Sequence, residues 1–273
     1  MDTRLLKKLI AHALREDVGS GDITSEATLA ASICGTAYII AKENAVMCGL
    51  CLVPYLFPCS HFLVHTRFKE GSVVKKGARI LSISGPLKNI LERERVFLNF
   101  LGRLSGIATL TYRYKRACHN KKIKIMDTRK TTPNLRFLEK YAVRVGGGTN
   151  HRFGLYDEIL IKDNHMDAIG SLSQAIRLVQ RKYPHKKIEV EARNLKHVQE
   201  ALGAAASVIM LDNMDKKMIR KACDLIQKRA LIEVSGNMTL KKVQSLSKLP
   251  IDRISVGALT HSAPHIDFSM RVL

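Results

Sequence analysis

Residues 188–237 read IEVEARNLKHVQEALGAAASVIMLDNMDKKMIRKACDLIQKRALIEVSGN, and one pattern recurs three times within them. Ile188-Glu-Val runs into Glu191-Ala-Arg193, Ser207-Val-Ile-Met-Leu into Asp212-Asn-Met214, and Ala230-Leu-Ile-Glu-Val into Ser235-Gly-Asn237. Between these short apolar runs lie helical patterns from Leu195 to Leu202 and from Lys216 to Lys228. Repeated strand, polar end and helix predict parallel strands joined by helical crossovers.

The pattern extends in both directions. Upstream, Ile123-Lys-Ile-Met ends in Asp127-Thr-Arg-Lys130, and Glu158-Ile-Leu-Ile ends in Lys162-Asp-Asn-His165, with a helical pattern from Ser171 to Gln180. Downstream, Arg253-Ile-Ser-Val ends in Gly257-Ala258. Six units, each with polar residues at the strand's C-terminal end, predict a TIM-like α/β barrel. A doubly wound sheet would gather its ligand groups at a single switch point. Roughly 150 residues are too few for the eight units of a full barrel, which needs ~250, so an incomplete, open barrel is expected.

Before Ile123 the pattern is different. Leu5, Leu6, Leu9, Ile10, Ala13 and Leu14 recur at helical spacing, and residues 16–22 read as a polar loop. Residues 35–41, 62–68 and 79–84 read as strands. A long helix follows from Asn89, with Leu91, Val96, Phe97, Phe100, Leu101, Leu104, Ile107 and Leu110 on its apolar stripe. The expected division is an N-terminal α/β sandwich domain over residues 1–112 and a barrel over 113–273, whose tail could return to the first domain.

Composition narrows the functional classes. The 273 residues carry 45 Lys and Arg against 24 Asp and Glu, a net charge of +21, with 46% hydrophobic residues. That hydrophobic share excludes wholesale disorder, and six cysteines are too few for a disulfide scaffold. The segment to Glu16 reads as an amphipathic helix broken by charges, not a secretory signal. Val46 to Phe57, the longest apolar stretch, contains Pro54 and falls short of the ~20 residues that cross a bilayer. A cytoplasmic protein with no membrane partner is expected. The basic residues are spread along the whole chain, Trp is absent and no zinc-finger or RNA-sheet motif is present, so nucleic acid is not the expected partner. Small anionic substrates remain.

The strand ends say which anions. Arg129 and Lys130 end one strand and Lys162 another; cations gathered there repel unless an anion lies between them. His151-Arg152 follows Gly146-Gly147-Gly148, which reads as the cap of a helix from Asn134 to Val145, and the pair could aim a guanidinium fork at a carboxylate or be an ordinary surface pair. Glu191 and Asp212 could bind Mg²⁺, hold sugar hydroxyls or neutralise the lysines. Ser235-Gly236-Asn237 and Gly257-Ala258 are small enough to let backbone N–H groups approach a phosphate. Together these outline a phosphoribosyl donor beside an acidic acceptor. Cys48-Gly-Leu-Cys51 with Cys59, His61 and His65 lacks the paired spacing of a zinc site, and buried free thiols are expected there. The strand-turn-strand from Gly71 to Gly85 resembles part of a lipoyl or biotin carrier without the rest of one.

Asp127-Thr-Arg-Lys-Thr-Thr-Pro-Asn-Leu-Arg136, Leu138-Glu-Lys-Tyr-Ala-Val143, Gly146-Gly-Gly148, Asn150-His-Arg152, Gly154-Leu155 and Leu160-Ile-Lys-Asp-Asn-His165 resemble the quinolinate phosphoribosyltransferase family. So do Glu16-Asp17 with Gly21-Asp-Ile-Thr24, Gly71 through Pro86, Glu94-Arg95 and Leu104-Ser-Gly-Ile-Ala-Thr109, so the likeness spans nearly the whole chain. The departure is Asn134, where the family usually has Gly; Asn tolerates left-handed geometry, so the turn is expected to persist. The resemblance implies a sandwich domain, a seven-stranded open barrel, a homodimer with shared active sites and a reaction that uses Mg²⁺. That reaction joins quinolinate to phosphoribosyl pyrophosphate, giving nicotinate mononucleotide, pyrophosphate and CO₂. It further implies that Thr128, Arg129, Lys130, His151, Arg152 and Lys162 line the quinolinate pocket and that Arg95 reaches the partner's site. Glu191 and Asp212 become the ribose- and metal-side acids, and Ser235, Gly236, Asn237, Val256, Gly257 and Ala258 the phosphate loops. Lys130 and Lys162 are candidate proton donors. A transferase for a monoacid such as nicotinate is the nearest alternative, and the number of cations favours a diacid.

Overall fold

The computed structural model describes residues 2–273. They form two compact units. One comprises the chain as far as Leu110 together with Phe137–Gly146 and Ala263–Leu273; the other comprises Thr111–Arg136 and Gly147–Ser262.

In the first unit the Asp2 carboxylate accepts the Arg4 and Leu5 amides (2.9 and 3.1 Å) and starts the helix Thr3–Val18, which buries Leu6 and Ile10. The expected loop over 16–22 is shorter than the sequence suggests. Glu16–Val18 remain helical, because Gly19 (φ 56°) is the first residue that leaves the helix and Asp22 already caps the next one, Ile23–Thr28. The antiparallel sheet runs in the order Phe268–Val272, Cys34–Ala41, Arg79–Pro86, Leu63–Thr66. Ala37, Ile39 and Ala41 alternate into the core from the second of these strands.

Two segments beyond residue 112 lie with the first unit, one of them the tail whose return was expected. The strand Phe268–Val272 returns to pair with Cys34–Ala41 (Ile39 opposite Met270) and buries Phe268. Phe137–Gly146 also belongs here, because Leu138, Ala142 and Val143 bury fully and Glu139, wholly buried, takes two N–H bonds from Arg103 (3.1 and 2.7 Å). The long helix runs Leu87–Ala117 and its segment 104–109 has a packing reason for each polar residue. Ser105 Oγ accepts the Cys48 amide (3.1 Å) and Thr109 Oγ1 the Val46 amide (2.8 Å). A methyl group on Gly106 would lie 1.9 Å from the Pro264 carbonyl oxygen. All six cysteines are free. Cys48 is buried and Cys51 half-buried; burial, then the neighbouring Glu70 carboxylate, pushes both thiols up, Cys51 to about 12. Cys59 is exposed, contrary to the expectation of burial.

In the second unit the strands run in the order Lys124–Met126, Arg253–Ser255, Leu231–Ser235, Val208–Asp212, Ile188–Ala192, Ile159–Ile161, every neighbour parallel. These are the six strands read from the sequence. First and last in the chain pair with each other, so the sheet closes there. On the far side of Lys124–Met126, Thr149 makes a single parallel bridge to Met126. That bridge is all that hydrogen bonding forms of an implied seventh strand, since Gly146-Gly147-Gly148 precedes it and turns follow. Among the described residues nothing pairs Thr149 with Ile159–Ile161, so the barrel is open at that point. No helix among the described residues is long and apolar enough to cross a membrane.

Gly106→Ala should lower stability by about 1–3 kcal/mol, the cost of overpacking a filled contact. A urea midpoint identical to that of the parent protein would contradict the close approach of Pro264.

Candidate active site

Residues opposite one another in a parallel sheet share a face, and side chains alternate along each strand. Leu160, Glu189, Met210, Glu233 and Ser255 therefore face the barrel interior, and two residues further on Lys162, Glu191, Asp212, Ser235 and Gly257 face the mouth. These five line a cavity of about 790 Å³ with Thr128, Arg129, Lys130, His151, Arg152, Gly236, Asn237 and Ala258. Two expected residues do not line it. Val256 is buried behind the loop, and Arg95 is exposed on the long helix of the first unit.

The cationic side is held by a scaffold of its own. Asp127, fully buried, accepts the His151 amide at 2.8 Å and the Asn150 side-chain amide, tying the segment 150–152 to the strand that ends in Arg129 and Lys130. The Lys130 backbone is fixed at both ends: its N–H donates to Thr128 Oγ1 (3.0 Å) and its carbonyl accepts from Thr260 Oγ1 (2.7 Å). Arg136 spans Thr131 Oγ1 (2.9 Å), the Phe153 carbonyl (3.1 Å) and the Arg129 carbonyl (3.3 Å). Asn134 adopts φ 63°, the left-handed geometry expected of it. Arg152 donates to the Glu158 carbonyl (3.0 Å), and burial, then the neighbouring Arg129 charge, lowers its pKa. Arg129 Nε is buried with no hydrogen-bond partner. Such a donor invites an anion. Across the mouth Lys162 Nζ pairs with Glu191 Oε1 at 2.9 Å.

Glu189 and Glu233 are the functional neighbours that reading strand ends alone overlooks. His151 Nε2 lies 3.3 Å from Glu189 and 3.4 Å from Glu233, all three side chains being buried. Burial works against a charged imidazole, and hydrogen bonds to the two carboxylates work the other way and raise its pKa. Burial also raises the Glu189 carboxyl, and Glu233 adds to that, while His151 opposes it. The Arg152 amide donates to Nδ1 (2.9 Å), which disfavours a second ring proton there. The hydrogen-bonded geometry thus puts the proton held by the trio on the Nε2 side, between ring and acids. The clue was present in the sequence: each acid lies two residues before a predicted site residue, hence on the same face of its strand.

The loops opposite are shaped by backbone rather than charge. Gly236 has φ 99°, and a methyl group there would lie 2.2 Å from Asn213 Oδ1. Asn213 (φ 54°) and Asn237 (φ 44°) are also left-handed. Asp212 accepts from the Asn213 side chain at 2.8 Å, and Lys242 Nζ donates to the Gly236 carbonyl at 2.8 Å. Asn213, Met238, Thr239 and His261 line the cavity as well. They follow the strand ends by a few residues, where spacing alone carries no signal. Among the described residues His151, Glu158 and Glu189 are the one group of three or more His, Cys, Asp or Glu whose donor atoms converge, and Glu191 with Asp212 is not part of it.

Family models for the quinolinate phosphoribosyl transferase N-terminal and C-terminal domains match residues 22–105 and 107–271. The chain belongs to the quinolinate phosphoribosyltransferase family. It is 42% identical over 270 residues to a probable nicotinate-nucleotide pyrophosphorylase [carboxylating] of Bacillus subtilis (strain 168), covering 98% of this chain and 93% of that protein. A quinolinate phosphoribosyltransferase [decarboxylating] 2b, mitochondrial, of Nicotiana tabacum is 38% identical, with 98% and 82% covered. The crystal structure of NadC from Streptococcus pyogenes superposes with a TM-score of 0.95 at 41% identity over 100% of this chain and 98% of that one. Human nicotinic acid phosphoribosyltransferase shares the fold alone, with a TM-score of 0.65 at 14% identity. Members of the family are pentosyltransferases, and this chain is one of them.

Asp127→Ala should cost about 1–3 kcal/mol, because the buried His151 amide and the half-buried Asn150 side chain lose their acceptor, and should weaken quinolinate use more than phosphoribosyl pyrophosphate use. A KM for quinolinate unchanged in the folded variant would contradict its part in the cationic wall.

Proposed function

We propose that the cavity joins quinolinate to phosphoribosyl pyrophosphate and releases nicotinate mononucleotide, pyrophosphate and CO₂, as the family assignment and relatives' names support. One observation carries the assignment to this cavity: Arg129, Lys130, Arg152 and Lys162 meet on its wall while Glu191, Asp212 and the Gly236 and Gly257 loops complete it.

Quinolinate bears carboxylates on adjacent ring carbons, so a wall of several fixed cations suits it better than a monoacid. Arg129 and Arg152 supply the planar forks that bind carboxylate in two places at once. Phosphoribosyl pyrophosphate places its 5′-phosphate against the Gly236 and Gly257 loops, where absent side chains let the backbone approach. When pyrophosphate leaves, the ribose carbon gains positive charge, and Glu191 and Asp212 stabilise that charge and the ribose hydroxyls. Mg²⁺ belongs to this reading: Glu191 retains an oxygen that Lys162 does not occupy, and with Asp212 and the substrate's own phosphates it would hold an ion that neutralises the departing pyrophosphate. After ribosylation the cationic ring nitrogen draws the electrons of the adjacent carboxylate bond. CO₂ departs, and Lys130 or Lys162 returns a proton to the ring carbon.

A homodimer with shared sites completes the proposal, with Arg95 entering the partner's cavity as one more cation. The test is product formation from quinolinate plus phosphoribosyl pyrophosphate, with nicotinate as control. Product from quinolinate only, abolished by chelating Mg²⁺, is expected; equal use of nicotinate would contradict the diacid assignment. Arg95→Ala and Lys162→Ala should each be nearly inactive. Exchanging their subunits should restore about a quarter of parental activity at best, since about half the dimers carry one intact site. No recovery after verified exchange would mean that Arg95 acts within its own subunit or not at all.

A further inference from the structure

The family resemblance implies that His151 is one more contact to quinolinate. Its surroundings describe a different role. The ring is 8% exposed although it borders the cavity. A histidine has two in-plane nitrogens with which to hydrogen-bond, and the protein occupies both. Nε2 faces Glu189 Oε2 at 3.3 Å and Glu233 Oε1 at 3.4 Å. Nδ1 accepts the amide N–H of Arg152 at 2.9 Å. The backbone is held as well, because the His151 N–H donates to Asp127. Beneath the ring, Glu233 accepts a hydrogen bond from Ser255 Oγ on the oxygen that faces His151, while its other oxygen, 3.8 Å from Arg253, is buried without a hydrogen-bond partner. Two carboxylates buried this close repel unless a proton or cation lies between them, so the ring is held on them firmly. Its other edge then sets the position of the Arg152 peptide.

We propose that His151 is a positioning residue, a strut that stands on the buried pair Glu189 and Glu233 and fixes Arg152, and that it donates no hydrogen bond of its own to the substrate. Glu189 and Glu233 become positioning residues of the same unit, acting on quinolinate through Arg152. The proposal rests on the reading that this cavity binds quinolinate.

Calorimetric titration of quinolinate into the parent protein, Glu233→Gln, Arg152→Ala and the double variant tests it. Phosphoribosyl pyrophosphate is titrated in parallel. Glu233→Gln should weaken quinolinate about tenfold, one step of ~1.4 kcal/mol, and leave phosphoribosyl pyrophosphate affinity unchanged. If Glu233 acts through Arg152, the double variant should bind quinolinate within about twofold of Arg152→Ala alone. Additive losses would overturn the strut, and so would an equal loss of affinity for both substrates. Should Glu233→Gln fail to fold, the parent protein labelled with ¹⁵N-histidine decides. Saturating quinolinate should leave both ring nitrogens of His151 at their free-state shifts, and displacement of either would show a direct bond to the ligand and overturn the proposal. Absence of quinolinate binding by the parent protein would overturn the functional reading itself and the strut with it.

Discussion

Holding Arg129, Lys130, Arg152 and Lys162 around one cavity before any anion arrives works against Coulomb repulsion, and much of the second unit answers that problem. At an effective dielectric of ~20, two unit charges a few ångströms apart repel by several kcal/mol. The answer is asymmetric. Glu191 sits at the mouth and pairs with Lys162, where a substrate can compete for the lysine. Asp127, Glu189 and Glu233 sit within, buried to 5% exposure or less, where no solute competes. The cations at the mouth thus stay available while the acids beneath them hold the loop 150–152. Arg152 shows the result: burial, then the neighbouring Arg129 charge, lowers its pKa, and Glu189, Glu158 and Glu191 oppose that shift.

Much of this was legible in the sequence. The apolar runs from Ile123 to Val256 gave six parallel strands because a strand buried on both faces leaves an unbroken apolar signature. The abrupt polar residues at their ends marked the mouth for the same reason: nothing else in such a strand needs to be charged. Even Asn134 was readable, since few residues other than Gly accept its positive φ.

What escaped the reading has physical causes of its own. Glu189 and Glu233 lie inside apolar runs, where one charge in five residues reads as noise until the period of two puts it on the barrel's inner face. Thr149 forms a bridge of one residue, too short for any pattern. The segment Phe137–Gly146 belongs with the first unit through buried pairings such as Arg103 with Glu139, which join residues far apart in the chain. Such pairings leave no local trace. The same holds for Gly106, whose missing side chain matters only because Pro264 returns to it.

The central claim is that the cations of this cavity are arranged for two adjacent carboxylates on one ring. Equilibrium binding of quinolinate and nicotinate to the parent protein, compared under one buffer and salt, tests it most directly. The second carboxylate adds at least one charge-assisted contact of about 1.5–3 kcal/mol, so quinolinate should bind at least about tenfold more tightly. Equal affinity for the two acids would contradict the account.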